Sequence, residues 1–177
     1  MTEPQFQIVT GAPGSGKTTV LQQVSRPSAL VAEPARRVLA SERNEGHGEP
    51  DPERFVELML HRSIEDYENA RSHAAHVVFD RGIPDAAAYA LYFDTDPAPA
   101  LAVASAKRYR DHVLVFTPWE AIYTTDEERR MTFDMTLRFH DAVVDAYTRS
   151  GYTMVEVPHA SIAQRAAFID EFLDGPV

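Results

Sequence analysis

The eight residues Gly11-Ala12-Pro13-Gly14-Ser15-Gly16-Lys17-Thr18 constrain this chain more than any other stretch. Two glycines, a lysine and a hydroxyl residue stand at the spacing of a phosphate-binding P-loop. The setting agrees with the spacing. An apolar run, Phe6 to Thr10, leads straight into the loop, and a helix-compatible run, Thr18 to Ser25, leads out of it. In a strand–loop–helix unit, glycines let successive backbone N–H groups converge on phosphate oxygens. Lys17 is then expected to reach the β and γ phosphates and Thr18 to place its hydroxyl on Mg²⁺, with Thr19 completing the binding set from Gly11 onward. The ligands implied are ATP and Mg²⁺.

A P-loop needs a parallel sheet around it, and the rest of the chain supplies the pattern. Short β-branched or aromatic runs at Phe6 to Thr10, Ala29 to Ala32, His76 to Asp80, His112 to Phe116 and Thr153 to Val157 alternate with longer stretches of helical period. Such alternation predicts a three-layer α/β/α sandwich on a five-stranded parallel sheet. Helix starts are marked by Asp51-Pro52, and by capping-box spacings at Thr125 with Glu128 and Ser161 with Gln164. Gly151 is expected to end the helix that begins at Thr125. Arg43 to Pro50 and Asp94 to Pro99 read as loops. Residues 1–177 are expected to form one domain, with a lid segment at about 117–131.

In open parallel sheets ligands gather at the carboxyl ends of the strands. Asp80 ends an apolar strand, as expected of an acid that holds Mg²⁺, and Arg81 follows it as a candidate for phosphate contact or for stabilising transferred charge. Glu33 ends the second strand, ahead of Pro34. There it is either a base that orients and deprotonates an attacking hydroxyl or a solvated charge in a first helical turn.

After the fourth strand, Phe133, Leu137, His140, Val144 and Tyr147 share one face at 100° per residue, a face expected to be core. Arg129 and Arg130 flank that face one turn earlier and are candidate lid arginines, or exposed residues paired with nearby acids. His140 reads first as a satisfied core histidine. Phe55, Tyr89, Tyr92, Phe93, Trp119 and Tyr123 lie on segments around the expected cleft, with Trp119 and Tyr123 the candidates for lining a pocket.

Charge narrows the partners. With 17 basic against 27 acidic residues, the net charge is −10, which opposes a non-specific grip on nucleic acid or an anionic membrane. The absence of cysteine excludes disulfides, thiol catalysis and Cys-ligated zinc. With no signal-like leader and no run of about 20 apolar residues, the expected location is cytoplasmic. The expected partner is a small-molecule hydroxyl acceptor, and a homodimer stays open.

On these residues the chain resembles the P-loop small-molecule kinases, in particular the deoxynucleoside and nucleoside monophosphate kinases. Gly11 to Thr18 matches their phosphate loop, Ala32-Glu33-Pro34 the corner that carries the deoxynucleoside kinases' general base, and Asp80-Arg81-Gly82 their acid-Arg-Ser step. Arg129 and Arg130 stand in the lid's place, without the closely spaced Arg-Gly-Arg of those kinases. The whole chain is also similar to bacterial predicted ATPases of the AAA family, related to the ribosylnicotinamide kinase type, through Glu33 to Arg37, Asp80 to Gly82 and Arg138 to Asp141. These resemblances imply an ATP-dependent phosphotransferase acting on a nucleoside-like metabolite or an antibiotic. The alternative is an ATP-hydrolysing switch or partner-binding P-loop ATPase. No Asn-Lys-x-Asp guanine motif is present, and 177 residues leave no room for the extra helical domain of a ring-forming ATPase.

Overall fold

The computed structural model describes residues 5–25, 29–72, 76–123 and 131–175. Five strands, β1 (Phe6–Gly11), β2 (Ala29–Val31), β3 (Val77–Asp80), β4 (His112–Phe116) and β5 (Thr153–Glu156), form one sheet in the order β2-β3-β1-β4-β5, every pairing parallel. The P-loop strand is therefore central, with two strands on either side. Each strand matches an apolar run in the sequence to within a residue at either end.

Among the described residues seven α-helices connect and cover the strands: α1 (Lys17–Leu21), α2 (Pro34–Asn44), α3 (Pro52–Ala70), α4 (Ile83–Tyr92), α5 (Ala98–Ala106), α6 (Phe133–Arg149) and α7 (Ile162–Asp174). Side chains alternate across a strand, so β1 and β3 feed two cores. Phe6, Ile8, Val77 and Phe79 pack with α2 to α6 on one face, whereas Val9, Val78, Leu114 and Phe116 pack with α1 and α7 on the other. The result is the expected α/β/α sandwich. No helix among the described residues is long and apolar enough to cross a membrane.

Two start signals hold. Asp51 caps α3 by accepting the Arg54 N–H at 2.9 Å, and Ser161 with Gln164 forms a capping box on α7. Other expectations need correction. The helix after the Gly-rich loop spans only Lys17–Leu21, not Thr18 to Ser25. Arg43 and Asn44 belong to α2 and Ala98 and Pro99 to α5, so the two loops are shorter than the sequence suggested. The Thr125 and Glu128 pair lies outside the described residues, and α6 starts later, with Thr132 as the cap accepting the Met135 N–H at 3.3 Å. At its other end the helix stops just before Gly151, as expected.

The buried stripe of α6 also differs from expectation. Thr136, Phe139, Val143, Ala146 and Tyr147 face inward, while Leu137 and Val144 are exposed and His140 is half-buried. The face is turned by roughly one residue, ~100°, from the expected one. Helix α6 packs on α4, whose Ala86, Ala87, Ala88 and Ala90 are fully buried. Phe139 on the inward face packs on Tyr89 and Tyr92 of α4, so the contact with this partner helix decides which face turns in.

Candidate active site at the carboxyl ends of the strands

The phosphate loop is shaped from both sides. At Gly11 a Cβ would lie 2.2 Å from the Phe116 carbonyl oxygen, so β4 presses directly on the loop's first residue. The next residue, Ala12, donates its N–H to that carbonyl at 3.0 Å. Ser15 turns back, its hydroxyl donating to the Ala12 carbonyl at 2.7 Å. Gly16, with φ +80°, is the N-cap of α1 and delivers Lys17 and Thr18 to its first turn. Lys17 is buried and its ammonium pairs with the Asp80 carboxylate at the end of β3. The exposed Thr18 directs its hydroxyl to the other oxygen of Asp80 at 3.4 Å. A cation, a hydroxyl and a carboxylate thus meet where the loop enters the helix. Hydroxyl and carboxylate oxygens are the hard donors that suit Mg²⁺, which binds through one or two carboxylates alongside phosphate and water.

Beside it, at the ends of β2 and β3, lies a second cluster. Glu33 is the N-cap of α2, and Arg81 sits at φ +75°, a left-handed conformation uncommon for a side chain of its size. Arg81 is buried between two carboxylates: its Nε donates to Glu33 at 2.9 Å and its Nη1 to Asp85 at 2.9 Å. Its guanidinium also lies 5.3 Å from the centre of the Phe139 ring. Asp85, fully buried, accepts the Thr10 hydroxyl at 2.6 Å, the Gly82 N–H at 2.8 Å and the Tyr147 hydroxyl at 2.5 Å in addition to Arg81. With four donors on one carboxylate, Arg81 has a fixed anchor, and Glu33 is held by that anchored guanidinium. Burial works against ionisation of Glu33, but the charges of Arg81, Lys17 and Arg36 outweigh it and hold the carboxyl down at about 2. At neutral pH Glu33 is a carboxylate.

A third group lies on the opposite side of β1, after β4 and β5. The Trp119 ring stacks on His159 at 4.6 Å with 4° between planes, and the His159 Nε2 lies 2.8 Å from the Thr117 hydroxyl. Arg165 on α7 reaches under them to the P-loop, donating from Nη1 to the Ser15 carbonyl at 2.9 Å.

Residues 6–165 match the profile of an AAA-domain family. The chain belongs to that family. No curated protein matches this AAA-domain chain in sequence. Solved structures do resemble it in shape. Thymidylate kinase from Candida albicans superposes with a TM-score of 0.69 at 15% identity, over 97% of this chain and 92% of that one. Deoxyadenosine kinase from M. mycoides gives 0.64 at 12%, over 96% and 99%. Thymidylate kinase from Ehrlichia chaffeensis gives 0.63 at 16%, over 98% and 100%. The fold of this AAA-domain protein is that of the P-loop nucleoside and nucleotide kinases.

Among the residues singled out in the sequence, Lys17, Thr18, Asp80, Arg81 and Glu33 come together in the AAA-domain structure. Arg81, a candidate for phosphate contact or for stabilising transferred charge, pairs in this structure with the carboxylates of Glu33 and Asp85. Arg129 and Arg130 lie outside the described residues. His140 stands apart, its Nδ1 without a hydrogen-bond partner and burial pushing its pKa down. The aromatic residues divide: Phe55, Tyr89, Tyr92 and Phe93 pack with Phe139, whereas Trp119 joins His159 and Tyr123 packs on Phe133. Asp85, Tyr147, His159 and Arg165 carry no motif. Asp85 at least falls three residues after Gly82, the spacing at which an acid accepts the N-cap N–H, and its carboxylate does so.

Proposed function

We propose that the protein is an ATP- and Mg²⁺-dependent small-molecule kinase that moves the γ-phosphoryl group to a hydroxyl of a nucleoside-like metabolite or an antibiotic. The observation that carries this reading is the anchored carboxylate of Glu33, held by Arg81 beside the Lys17, Thr18 and Asp80 cluster. In a hydrolytic switch the same carboxylate would matter only if it positioned the attacking water.

In this mechanism the loop amides from Gly14 to Thr18 cradle the phosphates, and Lys17 exchanges its bond to Asp80 for β and γ oxygens. Thr18 and Asp80 would hold Mg²⁺, which when bound neutralises charge on the phosphates. Glu33 accepts the hydroxyl of the acceptor and points its oxygen at the γ-phosphorus. As the new P–O bond forms and the bond to the β-phosphate oxygen breaks, the hydroxyl proton passes to Glu33 and ADP leaves. With its pKa near 2, Glu33 takes that proton late, once bond formation has made the acceptor oxygen strongly acidic, so its main contribution is orientation. Arg81 and Asp85 touch neither substrate in this scheme and act by fixing Glu33.

The test is a screen of hydroxyl compounds with Mg²⁺-ATP, read as a mass gain of one phosphoryl group on the acceptor. Hydrolysis of ATP unaffected by every acceptor, together with no phosphorylated product, would overturn the proposal.

A further inference from the structure

Helix α2 begins beside the phosphate-loop cluster, with Glu33 as its N-cap, and runs for 11 residues. At 1.5 Å per residue its other end lies roughly 16 Å away. There the sequence Glu42-Arg43-Asn44-Glu45-Gly46-His47 holds two carboxylates and an imidazole. Gly46, at φ +79°, turns the chain back, and the His47 N–H is donated to the Glu42 carbonyl at 2.9 Å. The His47 Nδ1 comes to lie 3.7 Å from Glu42 Oε2 and 3.6 Å from Glu45 Oε2. Among the described residues this is the one group of three or more His, Cys, Asp or Glu side chains whose ligand atoms all lie within 4.8 Å of one another.

Both carboxylates are oriented from outside the group. Arg54, in the first turn of α3, grips the buried Glu42 with two donors, Nε to Oε2 and Nη2 to Oε1, each at 3.2 Å. The Ser41 hydroxyl donates to Glu45 Oε1 at 2.8 Å, which leaves Oε2 on the side of His47. Donors placed behind a ligand set in this way fix the direction of its lone pairs. The C-terminal end of α2 adds the partial negative charge of its last carbonyls. Zn²⁺ bonds of about 2.0–2.1 Å in a tetrahedron separate neighbouring ligand atoms by about 3.3 Å, so the two His47 separations need to close by only a few tenths of an ångström. His47 and Glu45 have room to do so, being 53% and 57% exposed at the side chain.

We propose that Glu42, Glu45 and His47 form a Zn²⁺-class site at the C-terminal end of α2. An imidazole nitrogen beside two carboxylate oxygens suits Zn²⁺ and its neighbours in the first transition row, whereas Mg²⁺ and Ca²⁺ take oxygen ligands. The site is thereby different in chemistry from the Thr18 and Asp80 pair. It goes beyond the kinase reading and does not depend on it. Zn²⁺ held there cross-links the turn after α2 to the helix and, through Glu42 and Arg54, to α3.

Calorimetry with ZnCl₂ tests the site, with Mg²⁺ in excess so that the phosphate loop is offered its own ion. The wild type is expected to take up one Zn²⁺ per chain. His47→Ala and Glu45→Gln should each weaken that binding tenfold or more, and because both side chains are exposed, circular dichroism should show an unaltered fold. His61→Ala is the control, since His61 also faces a glutamate, Glu65, at 3.6 Å on the exposed side of α3, yet belongs to no three-ligand group. It should bind Zn²⁺ as the wild type does. Zn²⁺ should raise the melting temperature of the wild type and of His61→Ala, and leave that of His47→Ala unchanged. No Zn²⁺ uptake by the wild type, uptake undiminished in His47→Ala and Glu45→Gln, or displacement of Zn²⁺ by further Mg²⁺ overturns the proposal, and each of these results leaves the kinase reading intact.

Discussion

The Glu33 carboxylate accepts the Nε–H of Arg81 at 2.9 Å, across the gap between the ends of β2 and β3, and Arg81 is held in turn by Asp85. Glu33→Gln keeps the size of the side chain and loses its charge. Binding of ATP, which depends on Lys17, Thr18 and the loop amides, is expected to survive. Phosphorylation of the acceptor should fall by ~10²-fold, because the amide no longer offers an anionic oxygen to orient the acceptor hydroxyl and take its proton. Calorimetry with ATP and a product assay check the two halves separately. Unaltered turnover would remove Glu33 from the mechanism.

The same pair predicts how stability responds to acid. The folded value for Glu33, about 2, lies below its ordinary 4.5. The stabilisation it brings is therefore complete above pH 4.5 and fades as pH falls toward 2, a contribution on the order of 3 kcal/mol. Denaturant titrations from pH 6 to pH 2 should show a shallower acid loss in Glu33→Gln than in the wild type. Parallel curves would mean that the pair does not govern acid stability.

Lys17 and Asp80 are both buried, so removing one charge strands the other. Lys17→Met is expected to lower transfer by at least ~10²-fold, since a donor to the developing charge is gone. It should also destabilise the protein by about 3 kcal/mol, the cost of an unpaired buried carboxylate. The double change Lys17→Met with Asp80→Asn should recover much of the stability and none of the activity. Thermal melts and turnover measured side by side distinguish the two effects.

The sheet was legible in advance because each strand is a short apolar run bounded by turn residues, and the phosphate loop because its spacing is rare. What escaped was set by partners distant in sequence. Asp85 looks like an ordinary acid in a first helical turn until Thr10 and Tyr147 are brought against it. Arg165 looks like one more polar residue on an amphipathic helix, and only the packing of α7 beside the loop brings its guanidinium to the Ser15 carbonyl. The face of α6 differs from expectation because periodicity is blind to the partner helix α4, whose Tyr89 and Tyr92 receive Phe139 while Leu137 stays exposed.

Asp85 yields a further test. Burial pushes the Tyr147 hydroxyl toward its neutral form, in which it donates to Asp85 at 2.5 Å. Tyr147→Phe removes one donor of four and should cost about 2 kcal/mol, the scale of a hydrogen bond to a charged group, with turnover nearly kept. Asp85→Asn turns an amide N–H₂ toward at least one existing donor, so it should cost more and lower turnover through a loosened Arg81. Equal stability of the two variants would show that the carboxylate is not the organising centre of this cluster.

The contact between Ala12 and the Phe116 carbonyl has a consequence for biosynthesis. The phosphate-binding motif is complete at Thr18, yet the strand that presses its opening glycine into shape, His112–Phe116, is made far later. A nascent chain carries the motif long before it carries the loop. Parallel pairing between distant segments is slow to form, so the time between these two events is when hydrophobic β1 lies uncovered and most exposed to aggregation or to chaperones. Nucleotide added to stalled chains should protect those that extend well beyond β4, far enough for that strand to clear the exit tunnel, and leave shorter ones as susceptible to protease as before.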